Sequence, residues 1–374
     1  MIVEEFNDDG IVDVDNSGAG FSAGDVFVFD NPVLVSDLGL EGRVFGRCVV
    51  LENLQLVDNT YCSMHFDFPA GSLFMQGVYF NMPITAGSGC YLDYEGTVEG
   101  EATLETIEYY VSIENSDQPP QQCPPPFFED PSWIEESGDT YIDADKDGAD
   151  SPGDSYVFDS NPIEAGRQQG TTSGDCVNLV EERFDNTYCQ ITYEFREGSL
   201  MVQGVFGAMV IVGGTGCFRQ AKGIVAGETI EDGAFFRHNV TLSEGPPDSC
   251  NNEELFEATW KEVGQDFLSD IDGSGGPSVG ELFVFENHPI TVGNSAQPTG
   301  LASGRCALLP GFEENDNLVY CLISFAFDEG ILVVQGLYPE MEIVGGSGCF
   351  VNVQGRMLSS DADDGYQYSF ELYD

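Results

Sequence analysis

The chain reads as short runs in which apolar and polar positions alternate, or stay apolar for a few residues, before a Gly-rich turn intervenes. Asp25-Val-Phe-Val-Phe, Ser72-Leu-Phe-Met-Gln-Gly-Val-Tyr and Thr106-Ile-Glu-Tyr-Tyr-Val-Ser-Ile are examples. Their β-branched and aromatic content and two-residue alternation predict strands, and no stretch keeps a helical period. About eight such strands per ~120 residues predict a closed antiparallel barrel, a size at which side chains fill the interior or enclose one small ligand.

The pattern returns three times, with a period of about 125 to 132 residues. Phe-Asp-Asn-Pro-Val (Phe29 to Val33), Phe-Asp-Ser-Asn-Pro-Ile (Phe158 to Ile163) and Phe-Glu-Asn-His-Pro-Ile (Phe285 to Ile290) mark one station. Gly-Arg-Cys48, Gly-Asp-Cys176 and Gly-Arg-Cys306 mark the next, followed by Tyr61-Cys62, Tyr188-Cys189 and Tyr320-Cys321. Then come Gln76-Gly77, Gln203-Gly204 and Gln335-Gly336, and finally the Gly-rich turns ending in Cys90, Cys217 and Cys349. The predicted organisation is barrel repeats at 1–117, 127–244 and 255–374, with spacers at 118–126 and 245–254. Prolines in the spacers remove backbone donors and favour an extended, semi-rigid chain.

The station order resembles the allene oxide cyclase and dirigent barrel superfamily, which reads Gly-x-Cys, Gly-x-Leu-x-Val-Gln-Gly, then Gly-Gly-[ST]-Gly-x-Phe. The last two appear here as Gly198-Ser-Leu-Met-Val-Gln-Gly204 and Gly213-Gly-Thr-Gly-Cys-Phe218, with similar runs at Gly330 to Gly336 and Gly345 to Phe350. The resemblance implies an all-β fold of three tandem eight-stranded antiparallel barrels. It also implies, for the cyclases, a barrel pocket using a Glu and an Asn of the first strand, lined by the Gly-x-Cys cysteine. The first strands here contain Glu4, Glu135 and Glu262 but no Glu-x-Asn pair.

Charge narrows the function classes. Lys and Arg number 12 against 65 Asp and Glu, a net −53, which opposes binding to nucleic acid or to an anionic membrane. With 41% hydrophobic and 12% aromatic residues spread along the chain, the acid belongs to the surface of folded units rather than to a disordered tail. No run approaches the ~20 apolar residues of a membrane helix. Eleven cysteines with few lysines suit an oxidising exterior, so the expected location is extracellular or cell-surface; a halophile-like interior protein with reduced thiols is the alternative.

Acidic loops precede the first strong strand of each copy. In the middle copy Asp143, Asp145, Asp147, Ala149, Ser151 and Asp154 occupy the ligand positions of a calcium loop around Gly148. The third copy offers Asp270, Asp272, Ser274, Gly276 and Glu281, and the first offers Asp13, Asp15, Ser17 and an out-of-register Asp25. Structural Ca²⁺ is the expected cofactor; turn formation and a solvated acidic surface are the plainer reading.

Cys48–Cys62, Cys176–Cys189 and Cys306–Cys321 are expected disulfides between consecutive strands. If each spacer cysteine folds back on its own barrel, Cys90 pairs with Cys123 and Cys217 with Cys250, leaving Cys349 free or intermolecular; if it reaches forward, Cys90 is left over. No Cys-x-x-Cys pair occurs, which disfavours zinc.

Gln76, Gln203 and Gln335 either satisfy strand-end backbone groups or face a ligand in the barrel, and Trp133 and Trp260 either fill cores or stack on sugar. Asn239 heads the one glycosylation sequon. The expectation is a secreted structural or adhesive protein of a coat, matrix or filament, self-associating or meeting other matrix components. Its long body would consist of barrels strung on Pro-rich spacers. The competing expectation is a barrel-pocket enzyme or ligand-steering protein, and a third is mineral association.

Overall fold

The computed structural model describes residues 2–6, 10–12, 22–35, 40–51, 60–79, 82–87, 91, 95–102, 106–114, 132–144, 151–165, 168–180, 186–218, 221–230, 235–243, 250, 256–264, 266–269, 277–293, 295, 297–309, 319–362 and 365–373. Each copy forms an antiparallel sheet with the same strand order, and the first strand pairs with both the last and the third, so the sheet curls back on itself and carries a short extra strand. In the middle copy the strands are Ser132–Glu136, Thr140–Ile142 (the extra strand), Ser155–Ala165, Gln168–Asn178, Thr187–Phe195, Gly198–Val205, Met209–Gly214, Gly223–Ile230 and Phe235–Leu242. The all-β expectation of tandem barrels holds.

Several strands are apolar on both faces because both faces are covered. Along Thr187–Phe195 the alternate residues Cys189, Ile191, Tyr193 and Phe195 enter the barrel core. Tyr188, from the opposite face, belongs to a second cluster shared with the other copies. That cluster joins Val26, Val28 and Tyr61 to Val157, Val177 and Tyr188 and to Leu282, Val284 and Tyr320. A further patch unites Phe74, Met201, Val210, Val333 and Val344. The barrels therefore pack around one approximately threefold axis. Burial of each such side chain contributes about 1.5–3 kcal/mol.

Polar contacts repeat the symmetry. The Tyr61 hydroxyl meets Thr192 Oγ1 at 3.0 Å, Tyr188 meets Ser324 Oγ at 3.2 Å and Tyr320 meets Ser63 Oγ at 3.3 Å, so each copy's tyrosine reaches the next copy round the ring. Gln76, Gln203 and Gln335 donate to the tyrosines of their own copies. These glutamines thus face the junctions between barrels rather than a ligand inside them. Gly213 and Gly345 allow close approach: a Cβ on either would lie 3.0 Å from Thr85 or Val212 of a neighbouring copy. The extended string of barrels is accordingly replaced by a closed three-lobed body, because the outward faces are apolar enough to bury one another.

The cysteines of neighbouring strands are direct register partners, Cys176 opposite Cys189 and Cys306 opposite Cys321. Disulfides form at Cys48–Cys62, Cys176–Cys189 and Cys306–Cys321, each with a Cα separation of 4.0 Å. The spacer cysteine corrects the fold-back expectation. Cys250 pairs with Cys349, not Cys217, and Cys349 is not free. Cys217 is itself disulfide-bonded, while Cys90 and Cys123 lie outside the described residues. The forward reach has a packing cause: just after the spacer, Phe256 stacks on Trp260 and meets Phe350 and Phe370 of the following barrel. Peptide mapping under non-reducing conditions should recover a Cys250–Cys349 linked pair; a Cys217–Cys250 pair would refute this docking.

Candidate acid-base sites in the barrels

One position on the first strand holds a glutamate in every copy. In strand register Glu5 lies opposite Val33, Glu135 opposite Ile163 and Glu262 opposite Ile290. The residue equivalent to Glu135 in the first copy is thus Glu5, one place beyond Glu4. The expected asparagine partner comes from the third strand: Asn31, Asn161 and His288 occupy matching positions opposite Val44, Thr172 and Ala302.

Two copies carry one extra residue at this station, and a β-bulge absorbs it. Register shifts occur between Phe158 and Asn161 and between Phe285 and His288, with Ser160 and Asn287 at φ of 55° and 52°. Serines on the next strand accept the bulge N–H groups, Ser173 from Ser160 at 3.1 Å and Ser303 from Asn287 at 2.9 Å. The bulge keeps Asn161 and His288 pointing inward despite the added residue.

In the second barrel Glu135 is 2% exposed. Its Oε1 accepts from Thr172 Oγ1 at 2.6 Å and from Asn161 Nδ2 at 3.0 Å. Its Oε2 lies 2.7 Å from His238 Nε2, and His238 Nδ1 lies 3.0 Å from the Tyr193 hydroxyl. In the tautomer with its proton on Nε2, that N–H donates to Glu135 while Nδ1 accepts from the phenol. Asn161 also donates to Asp139 Oδ1 at 2.8 Å. Burial first, then the Glu135 charge, pushes the Asp139 carboxyl up to about 6. Burial and Glu135 likewise raise Tyr193 well above the usual phenol range. Glu135, Asp139 and His238, with Phe158, Cys176, Phe206 and Phe236, line a cavity of about 20 Å³, room for a single water. Cys176 cannot act as a thiol there, being disulfide-bonded.

The third barrel presents a variant. His288 Nδ1 lies 2.7 Å from Glu262 Oε1 and 3.8 Å from Asp266 Oδ1. The Tyr368 hydroxyl donates to Glu262, and Tyr366 donates to Asp266 at 3.2 Å. Tyr368 takes the register place of His238, opposite the tryptophan of the first strand.

A separate opening of about 730 Å³ lies between the first and third copies, lined by Arg43, His65, Asp67, Glu342, Arg356 and Tyr373 among others. His65 is buried between Phe45 and Phe74, with ring centroids at 4.3 and 4.1 Å, and neither ring nitrogen has a hydrogen-bond partner among the described residues. Burial lowers its pKa to about 3. Glu342, whose carboxylate accepts from Tyr373 at 2.8 and 3.0 Å, is pushed up to about 7, chiefly by burial.

Of the acidic-loop residues, Asp13, Asp15, Ser17, Asp145, Asp147, Ala149, Asp270, Asp272, Ser274 and Gly276 lie outside the described residues. The closing acids are turn acceptors. Asp154 accepts from Ala144 N, Ser151 N, Ser151 Oγ and Tyr141 Oη, while Asp25 accepts from Ser22 N and Glu281 from Ser278 N. A cation joining Asp154 would compete with four donors. Trp133 and Trp260 are fully buried core residues, and Asn239 is exposed on the last strand of the second barrel.

The barrel clusters were missed at the sequence level, although a signal exists: Glu-x-x-x-Asp recurs as Glu5 to Asp9, Glu135 to Asp139 and Glu262 to Asp266. No protein-family profile matches the chain. No curated protein matches it. Among solved structures 16 chains match. One of them is a pyocyanin demethylase, 22% identical, with a TM-score of 0.25 and an alignment covering 30% of this chain and 98% of that one.

Proposed function

We propose that the protein works in an oxidising, extracellular setting and that its second barrel carries out proton transfer on the end of a small organic substrate lodged at the barrel mouth. Disulfides at four pairs of described cysteines support the setting. No helix among the described residues is long and apolar enough to cross a membrane.

The observation that carries the reading is Asp139: a partly buried carboxyl held near pH 6, joined through one asparagine amide to a buried Glu135 and His238. A general acid or base performs best when its pKa lies close to the working pH. Asp139 is the group that exchanges a proton with substrate, while Glu135, itself held by His238, positions Asn161 and sets the local field. The small cavity admits a water or the tip of a ligand, not a whole organic molecule.

The test is deuterium exchange into a panel of small carbon acids, followed by mass spectrometry. The wild-type chain should accelerate exchange for at least one class, and Asp139→Asn should lower that rate by about 100-fold or more with an unchanged melting midpoint. Inertness of the wild-type chain across the panel would refute the reading. It would favour the second one, a structural component of a coat or matrix, which the filled barrel interiors support.

A further inference from the structure

We infer that the third barrel binds one divalent transition-metal ion through Glu262, Asp266 and His288. Among the described residues this is the group of His, Cys, Asp and Glu whose ligand atoms converge, all lying within 4.8 Å of one another. Ligands of a common ion at about 2.0–2.2 Å stand roughly 3–3.5 Å apart. The observed His288 to Glu262 and His288 to Asp266 separations of 2.7 and 3.8 Å bracket that spacing, so small side-chain rotations suffice.

The surroundings fit an ion as well as the distances do. Two carboxylates meet in a site where the Glu262 side chain is 1% exposed, and His288 lies against both of them. Tyr368 donates to Glu262 and Tyr366 to Asp266, the outer hydrogen bonds that orient carboxylate ligands. A Cβ at Gly264 would fall 2.3 Å from the His288 ring, so glycine there leaves the imidazole its place. Asp266, at 19% exposure, provides the way in from solvent. One imidazole with two carboxylates suits Zn²⁺ or Mn²⁺, whereas Ca²⁺ takes oxygen ligands. Three protein ligands leave a position open for water or substrate.

The second barrel is the built-in control. There Asn161 replaces the imidazole and spends its amide on both acids, while His238 approaches Glu135 from another strand. A site in the third barrel is thus independent of proton transfer in the second.

Calorimetric titration of chelator-treated protein with Zn²⁺, in excess Ca²⁺ to occupy the acidic surface, should show one site per chain. Co²⁺ should give visible d–d bands of a low-coordinate nitrogen and oxygen site. His288→Asn, which installs the second barrel's residue, and Asp266→Asn should each weaken Zn²⁺ by about 100-fold or more with the fold retained by circular dichroism. Absence of a site under excess Ca²⁺, or equal affinity in either folded variant, overturns the assignment.

Discussion

Asp175→Ala should destabilise the chain by about 3–5 kcal/mol, the cost of stranding buried charge. Asp175 is 1% exposed and lies on the axis between two arginines of the other copies, Arg47 at 5% and Arg305 at 1%. Arg47 Nη1 donates to it at 3.0 Å, and Arg305 grips both carboxylate oxygens while donating to Gln190 at 2.7 Å. Burial pushes the Asp175 carboxyl up, but the two guanidiniums outweigh it and hold the group below its usual range. Arg47 is lowered to about 10, by burial first and also by Arg305, with Asp175 opposing both. Removing the carboxylate leaves two like charges desolvated side by side. Replacing all three in Arg47→Met, Asp175→Leu, Arg305→Met should recover most of the loss, since an apolar trio of similar volume needs no compensation. Urea denaturation at neutral pH measures both. A loss below about 1 kcal/mol in the single variant would mean that the copies do not share this axis.

His65→Phe should make the protein markedly more resistant to acid. The buried imidazole titrates near 3 in the fold but near 6.5 when unfolded, so between those values the unfolded chain holds the extra proton. Stability contributed by keeping His65 neutral is therefore complete above about pH 6.5 and falls as pH drops toward 3, by about 1.4 kcal/mol per pH unit and about 5 kcal/mol in all. Asp139 and Glu342 act in the opposite sense: their raised pKa values let the fold hold protons that the unfolded chain has lost, so acidification through about 6 and about 7 favours the fold. Both carboxyls are common to the two chains and cancel in the difference. Phenylalanine fits between Phe45 and Phe74 and removes two buried nitrogens without partners, so stability at pH 7 should change little. Denaturation curves at pH 7 and 4.5 decide it: the variant should lead by about 2–3 kcal/mol at the lower pH, and parallel pH profiles would rule out a neutral buried imidazole.

The barrel interior was legible where pairing is local. Cys176 and Cys189 are 13 residues apart on consecutive strands, so alternation and a turn are enough to bring them face to face. The residue that the bulge absorbs was also visible, as the difference between Phe-Asp-Ser-Asn-Pro and Phe-Asp-Asn-Pro. Its consequence was not, because only the closed barrel shows that Asn161 and His288 still face a first-strand glutamate. Gln76 looked like a strand-end residue for the same reason: its hydroxyl acceptor Tyr61 is near in sequence, but the Val202 carbonyl it also meets is 126 residues away.

Periodicity and repetition in the chain sufficed for the strand class, the threefold duplication and the bridges between adjacent strands, since each of these follows from neighbours along the backbone. The three-lobed packing, the forward reach of Cys250 and the ionisable clusters depended on the assembled molecule. Glu135 meets His238 across 103 residues and Arg47 meets Asp175 across 128. Such meetings are set by how curved sheets close and how apolar outer faces find one another, and these are properties of surfaces that exist only after the strands have paired.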